Sequence, residues 1–214
     1  MFVPKQYREP DDSWMVDLIR QNPLALLATN GSPEGGPLAT HLPVIPDPGA
    51  ADGWGDNLSG ATLLGHMNRQ NPHWKALRTG QVVLLTFTGP HGYVSPTVYE
   101  KSPAAPTWNF TSVHVHGTLE KIDSIEETLE VVRSTVRSFE ADLGTGWDMT
   151  ESVDYFREIL PGVGAFRVTV TAAEGMFKLS QEQEPCVQDR VRESFAQRDC
   201  GRHRETAQLM NRLP

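Results

Sequence analysis

Pro23-Leu24-Ala25-Leu26-Leu27-Ala28-Thr29-Asn30-Gly31-Ser32-Pro33-Glu34-Gly35-Gly36-Pro37-Leu38-Ala39-Thr40-His41-Leu42-Pro43-Val44-Ile45 reads as two apolar runs divided by a turn. Pro23–Thr29 is a strand, the Gly-, Pro- and Asn-rich stretch Asn30–Gly36 turns the chain, and Leu38–Ile45 returns as its antiparallel partner. Upstream, Asp11–Gln21 is a helix capped by Asp11, Asp12 or Ser13, with Trp14/Leu18 and Met15/Ile19 at helical spacing, expected to cover one end of a barrel. Downstream, Pro46–Gly60 is a long loop that Trp54 can anchor, and Ala61–Leu64 is a short buried strand. Asn71 then caps a helix with Pro72 in its first turn and Gly80 closing it after Arg78. Gln81–Thr88 is a further apolar strand, and His91–Pro96 a sharp connection leaving it.

Pro106–Ile122 is a long strand with Val113 and Val115 on one face and Ser112, His114 and His116 on the other. Ser124 and Glu127 make a capping box for a helix over Ile125–Glu140, whose stripe of Leu129, Val132, Val136 and Phe139 faces the core. A second helix covers Ser152–Leu160, and Ala165–Ala172 alternates Phe166, Val168 and Val170 as a final strand. From Gln188 the chain favours helix but carries few apolar anchors. Short strands interrupted by helices, without alternating strand-helix crossovers, predict a mainly β chain with helices (α+β) built on an antiparallel barrel.

The chain of 214 residues supports one core, or one core with a helical appendage. Its net charge of -8 and pI near 5.3 argue against duplex DNA as a partner. The start, Met1-Phe2-Val3-Pro4-Lys5, lacks a signal-peptide plan, and no apolar run approaches the ~20 residues of a membrane span, so a cytoplasmic protein with no membrane partner is expected. Cys186 and Cys200 have no zinc or disulfide spacing. Dinucleotide and phosphate-binding glycine motifs, His-Glu-x-x-His and Gly-x-Ser-x-Gly are all absent.

The chemistry gathers around Gly65-His66-Met67-Asn68-Arg69-Gln70-Asn71-Pro72-His73-Trp74, where His66 is read as leaving a strand just before a helix. A neutral imidazole there can give one nitrogen to iron or zinc, and Arg69 can pair with cofactor carboxylates; a hydrogen-bonded structural histidine is the other reading.

Several segments in one order resemble the PaiB-type branch of the split-barrel flavin-binding proteins. They include Asn22-Pro23-Leu24-Ala25, Thr40-His41-Leu42-Pro43, Leu64-Gly65-His66, Asn71-Pro72-His73-Trp74, Tyr93-Val94-Ser95-Pro96, Pro106-Thr107-Trp108-Asn109-Phe110 and Lys178-Leu179-Ser180-Gln181. The likeness covers residues 1–183, which it marks as a split-barrel cofactor-binding domain, and leaves 184–214 as a C-terminal helical tail. It implies a homodimer of six-stranded split barrels holding FMN or another cofactor. Thr97-Val98-Tyr99, Glu182 and Asp154-Tyr155-Phe156-Arg157 make the chain most similar to the piperazate synthases, the haem-dependent members of this branch.

That resemblance implies haem b with His66 as the iron ligand, and N5-hydroxy-L-ornithine as the substrate cyclised to L-piperazic acid. Arg69 and Lys178 suit the haem propionates by charge, and Trp108 is a pocket wall or a plain core residue. Tyr93 and Ser95 are candidates for contacts to the amino-acid end or the leaving oxygen, or for turn-stabilising bonds. His41 and His114 are candidate proton acceptors. His73, His91 and His203 receive no role. A PaiB-type flavin or haem sensor acting through a protein partner, and a flavin reductase, are the alternatives.

Overall fold

The computed structural model describes residues 1–11, 13–31, 34–49 and 58–213. Asp12 as a cap, Ser32-Pro33 of the first turn and the Trp54 anchor lie outside the described residues. Helix α1 spans Ser13–Gln21; the Asp11 carboxylate accepts from the Ser13 amide at 3.0 Å, and Trp14, Met15, Leu18 and Ile19 are buried. Strands β1 (Leu24–Thr29) and β2 (Leu38–Pro46) pair antiparallel from Leu24↔Pro43 to Thr29↔Leu38, the expected hairpin. The apolar letters of β1 hide an alternation that the pleat reveals: Ala25 and Leu27 are fully buried while Leu24 is 62% exposed.

Strand β3 runs Thr62–Asn68, four residues beyond the expected Leu64, so His66 lies within a strand and not at its exit. The cause is its ladder with β6, which continues through His66↔Ala165 and Met67↔Gly164 to Asn68↔Val163 while Met67 is buried. Helix α2 is Pro72–Ala76, shorter than the sequence predicts, because Leu77 turns extended and is buried; Gly80, at φ +84, makes the turn into β4. Strand β4 covers Gln81–Val94, which puts Tyr93 on the strand and not on a connection. Strand β5 (Thr107–Ile122), α3 (Ile125–Asp142), α4 (Val153–Ile159), β6 (Val163–Lys178), α5 (Pro185–Ala196) and α6 (Gly201–Met210) follow. The six strands close into an antiparallel barrel in the order β1-β2-β3-β6-β5-β4, with β1 meeting β4 at Leu26↔Thr86.

Two compact units share these elements. One comprises Asn22–Phe87 and Val115–Ala173. Its core holds Leu27, Leu63, Leu85, Val115, Phe166 and Val168, all fully buried. The Ser124 hydroxyl caps α3 by accepting from the Glu127 amide at 3.3 Å. The buried face of α3 is turned from the expected stripe: Val131, Thr128 and Thr135 are buried, whereas Val132 and Val136 are half-buried. Thr128 and Thr135 donate to the Ser124 and Val131 carbonyls at 2.8 Å, so their hydroxyls enter the core already satisfied.

The other unit comprises Met1–Gln21, Thr88–His114 and Glu174–Pro214. Trp14 meets the Phe177 ring edge-on at 5.3 Å. The anchors that the C-terminal composition understated are Val187, Val191 and Phe195 of α5 and Ala207 and Met210 of α6, all buried. Asn109 of β5, fully buried, accepts from the Ser180 hydroxyl at 3.0 Å and donates to Met210 Sδ at 3.9 Å. That gives Asn109 of the Pro106–Phe110 motif and Ser180 of the Lys178–Gln181 motif a structural role. Among the described residues no helix is long and apolar enough to cross a membrane.

Candidate functional site

Backbone chemistry opens a pocket between β2 and β3. The Val44 amide donates to Pro23 on the β1 side and the Asp47 amide to Thr62 on the β3 side, so odd-numbered residues of β2 face β3. Pro43 is the next odd residue after Ile45 and has no amide hydrogen to give. The β2–β3 ladder accordingly runs from Pro46↔Leu63 to Val44↔Gly65 and ends there. Beyond that point a pocket of about 530 Å³ separates Thr40, His41 and Pro43 from His66 and Asn68, with Ile159 and Val163 completing its wall.

His66 is half-buried on this pocket, and burial holds its imidazole below the usual pKa, so it is neutral near pH 7. Its buried Nδ1 has no hydrogen-bond partner among the described residues. His73 is the opposite case: nearly fully buried, it has Nε2 at 2.8 Å from the Thr29 hydroxyl and Nδ1 at 2.9 Å from the Thr40 hydroxyl. Asn71 ties the same cluster together, accepting from the His73 amide at 2.9 Å and donating to Thr40 Oγ1 at 3.3 Å. Thr40 and Asn71 both line the pocket, so a histidine to which the sequence assigned no role supports its polar wall. No local signal joins Thr29 to His73, which lie far apart in the chain; Thr40 and Asn71 were visible in their motifs only as a strand residue and a helix cap.

His73 links this wall to pH. Burial lowers its folded-state pKa below the ordinary value of about 6.5, so just under that value the unfolded chain holds a proton that the folded chain does not. Stability is then complete above about pH 6.5 and declines as pH falls toward the depressed folded value, by up to about 1.4 kcal/mol per pH unit. His66 acts with the same sign. The melting temperature is expected to drop between pH 7.5 and pH 5.5; a flat profile over that range would contradict the assignment of both as neutral.

The remaining predicted site residues take varied places. His41 is exposed on the pocket's β2 wall. Arg69 is not a lining residue: its Nε donates to the Val163 carbonyl at 2.7 Å and its guanidinium lies 5.8 Å from the Trp74 ring centroid. That indole also packs where a side chain on Gly164 would come within 2.4 Å of it. Tyr93, Ser95, Trp108 and Lys178 belong to the other compact unit. Trp108 is 51% exposed, which removes the core-packing reading, and its ring stands 6.0 Å from Tyr93 and 5.8 Å from His91. Ser95 caps the turn Pro96–Tyr99, accepting from the Thr97 amide at 3.3 Å. Lys178 is bonded to the Thr107 hydroxyl and lies 5.7 Å from the Tyr7 ring. His114 is half-buried on β5. Among the described residues no group of three His, Cys, Asp or Glu is placed to hold a bare metal ion.

Comparison with known proteins agrees with this architecture. The chain is 26% identical over 212 residues to the protease synthase and sporulation protein PAI 2 of Bacillus subtilis, covering 98% of this chain and 96% of that one. Among solved structures it is similar to the FAD and haem binding protein of Mycobacterium smegmatis, with TM-score 0.58 and 17% identity over 80% of this chain and 73% of that one. It is likewise similar to the flavocytochrome Anf3 of Azotobacter vinelandii, with TM-score 0.54 and 18% identity over 80% and 69% of the two chains. At such identities these two establish the fold alone. Residues 1–172 match the family described as "Putative FMN-binding domain", and the chain belongs to that family.

Proposed function

We propose that this protein is a haem-dependent, N-N bond-forming cyclase that converts N5-hydroxy-L-ornithine into L-piperazic acid and water. The observation that carries the reading is His66: an imidazole kept neutral by burial, opening on a pocket, with no hydrogen bond among the described residues to occupy its buried nitrogen. A pocket-facing imidazole that is not tied up by hydrogen bonds would suit a haem iron, as the bound-up His73 would not. The motif resemblance to piperazate synthases supplies the substrate, and the Mycobacterium smegmatis protein of similar fold, named as binding FAD and haem, is consistent with haem on such a barrel.

His66 would hold the iron, with Arg69 of the same compact unit the candidate for its propionates. The chemistry haem supplies when bound is Lewis acidity toward the hydroxylamine, which weakens the N-O bond. The chain's own residues do the rest. The pocket brings the α-amine to N5, and its apolar walls, Pro43, Ile159 and Val163, favour the amine in its uncharged, nucleophilic form. His41 on the β2 wall takes the proton that the amine loses as the ring closes. The chain works as a homodimer in the cytoplasm, the exposed Tyr93–Trp108 aromatic pair being suited to burial against a second copy.

The family's own description, an FMN-binding domain, favours a flavoprotein as the second reading; a sensor or a reductase is the role it would have. The absorption spectrum of the purified protein, taken on the species that sediments as a dimer, separates the two. A Soret band is expected. Flavin bands in the blue without a Soret band would overturn the haem assignment in favour of the second reading.

A further inference from the structure

The hydrogen bonds behind the pocket wall determine which way the Thr40 hydroxyl points its proton. Asn71 Oδ1 accepts from the His73 amide, which fixes the orientation of the side-chain amide and leaves Nδ2, a donor, facing Thr40 Oγ1. Thr29 is buried, and among the described residues its hydroxyl has His73 Nε2 as its partner. A buried hydroxyl with a single ring nitrogen beside it satisfies its hydrogen only by donating. His73 Nε2 therefore carries a lone pair, and in the neutral ring the proton sits on Nδ1. Nδ1 in turn donates to Thr40 at 2.9 Å. Two donors thus converge on Thr40 Oγ1 and use both of its acceptor positions. What remains free is its hydrogen, on a residue that lines the pocket with His41 and His66.

We infer that Thr40 is a hydrogen-bond donor to an acceptor oxygen of the bound substrate, with His73 as the positioning residue that sets its polarity. The substrate named here rests on the proposed cyclase reading; the polarity of Thr40 does not. On N5-hydroxy-L-ornithine the acceptor is either the carboxylate or the hydroxylamine oxygen.

The polarity is tested on the full-length protein with 15N-labelled histidine, His73 being assigned by loss of its signals in His73→Gln. A protonated Nδ1 and an unprotonated Nε2 are expected, and the reverse tautomer overturns the inference. Kinetics with the haem-loaded protein supply the second arm. Thr40→Ser keeps the hydroxyl and should stay within about twofold of the parent, whereas Thr40→Val should lose about tenfold in kcat/KM. A rise in KM, together with weaker inhibition by L-ornithine, assigns the carboxylate. A loss in kcat with ornithine inhibition unchanged assigns the hydroxylamine oxygen. Thr40→Val with unaltered kinetics overturns the contact. If no variant or parent turns the substrate over, the cyclase reading fails and the tautomer alone decides the polarity of Thr40.

Discussion

Replacing His66 with alanine is expected to abolish stoichiometric haem binding while the barrel stays folded. The backbone of His66 pairs with Ala165 whatever its side chain, and the flanking Gly65↔Phe166 and Met67↔Gly164 pairs are untouched. The imidazole contributes little to stability through hydrogen bonding, because its buried Nδ1 has no partner among the described residues and is already a cost to the fold. Truncation therefore removes a ligand without unpicking a network, unlike truncation of His73, which would take the partner of Thr29 and one of the two donors to Thr40. Losing an outer-shell support of a metal ligand typically costs about 10- to 100-fold in affinity, so loss of the ligand itself should cost at least about 100-fold. Haem titration followed at the Soret band measures the effect, and circular dichroism checks the fold. Free imidazole added to the variant should restore part of the parent spectrum by entering the vacated space. Full haem occupancy with an unchanged Soret band in His66→Ala would remove His66 from the iron and, with it, the observation on which the functional reading stands.

The haem-loaded protein is expected to form piperazic acid from N5-hydroxy-L-ornithine with neither NAD(P)H nor an added oxidant. Closing the α-nitrogen onto N5 makes one N-N bond, breaks one N-O bond and releases water, so no electrons enter or leave overall. L-Ornithine has the same carbon chain and amines but no N-O bond to break, and should be inert. Mass spectrometry that finds a product lighter than the substrate by one water, formed only from the hydroxylamine, is the expected result. A requirement for reduced nicotinamide would point instead to the flavin chemistry that the family description suggests. Absence of any product from haem-replete protein would refute the reaction and leave the barrel, its family and the pocket between β2 and β3 standing.

Local patterns in the sequence were enough for the hairpin, the long β5 strand, the Asn71 and Ser124 caps and the antiparallel barrel, because each is written in residues a few positions apart: turn formers between apolar runs, a capping side chain two or three residues before the amide it accepts from. Strand ends were less legible. β3, β4 and β6 all outrun their apolar runs, since a ladder continues as long as a neighbouring strand offers amides and carbonyls, whatever the side chains are. The α3 stripe was turned for a related reason, as threonines that bond back to their own helix can be buried where valines were expected.

The candidate site divides in the same way. Sequence by itself marked His66 and His41 as chemistry-bearing, and the structure sets both on one pocket. Only the tertiary structure decided that His66 is a mid-strand residue, that Trp108 is exposed, and that Thr29, His73, Asn71 and Thr40 form one hydrogen-bonded wall. The pocket itself was present in the sequence as a single letter, Pro43, but its meaning depends on which edge of β2 lacks the amide. That edge is set by pairing with β1 and β3, and pairing between strands distant in sequence follows from closure of the barrel, not from the composition of any one segment.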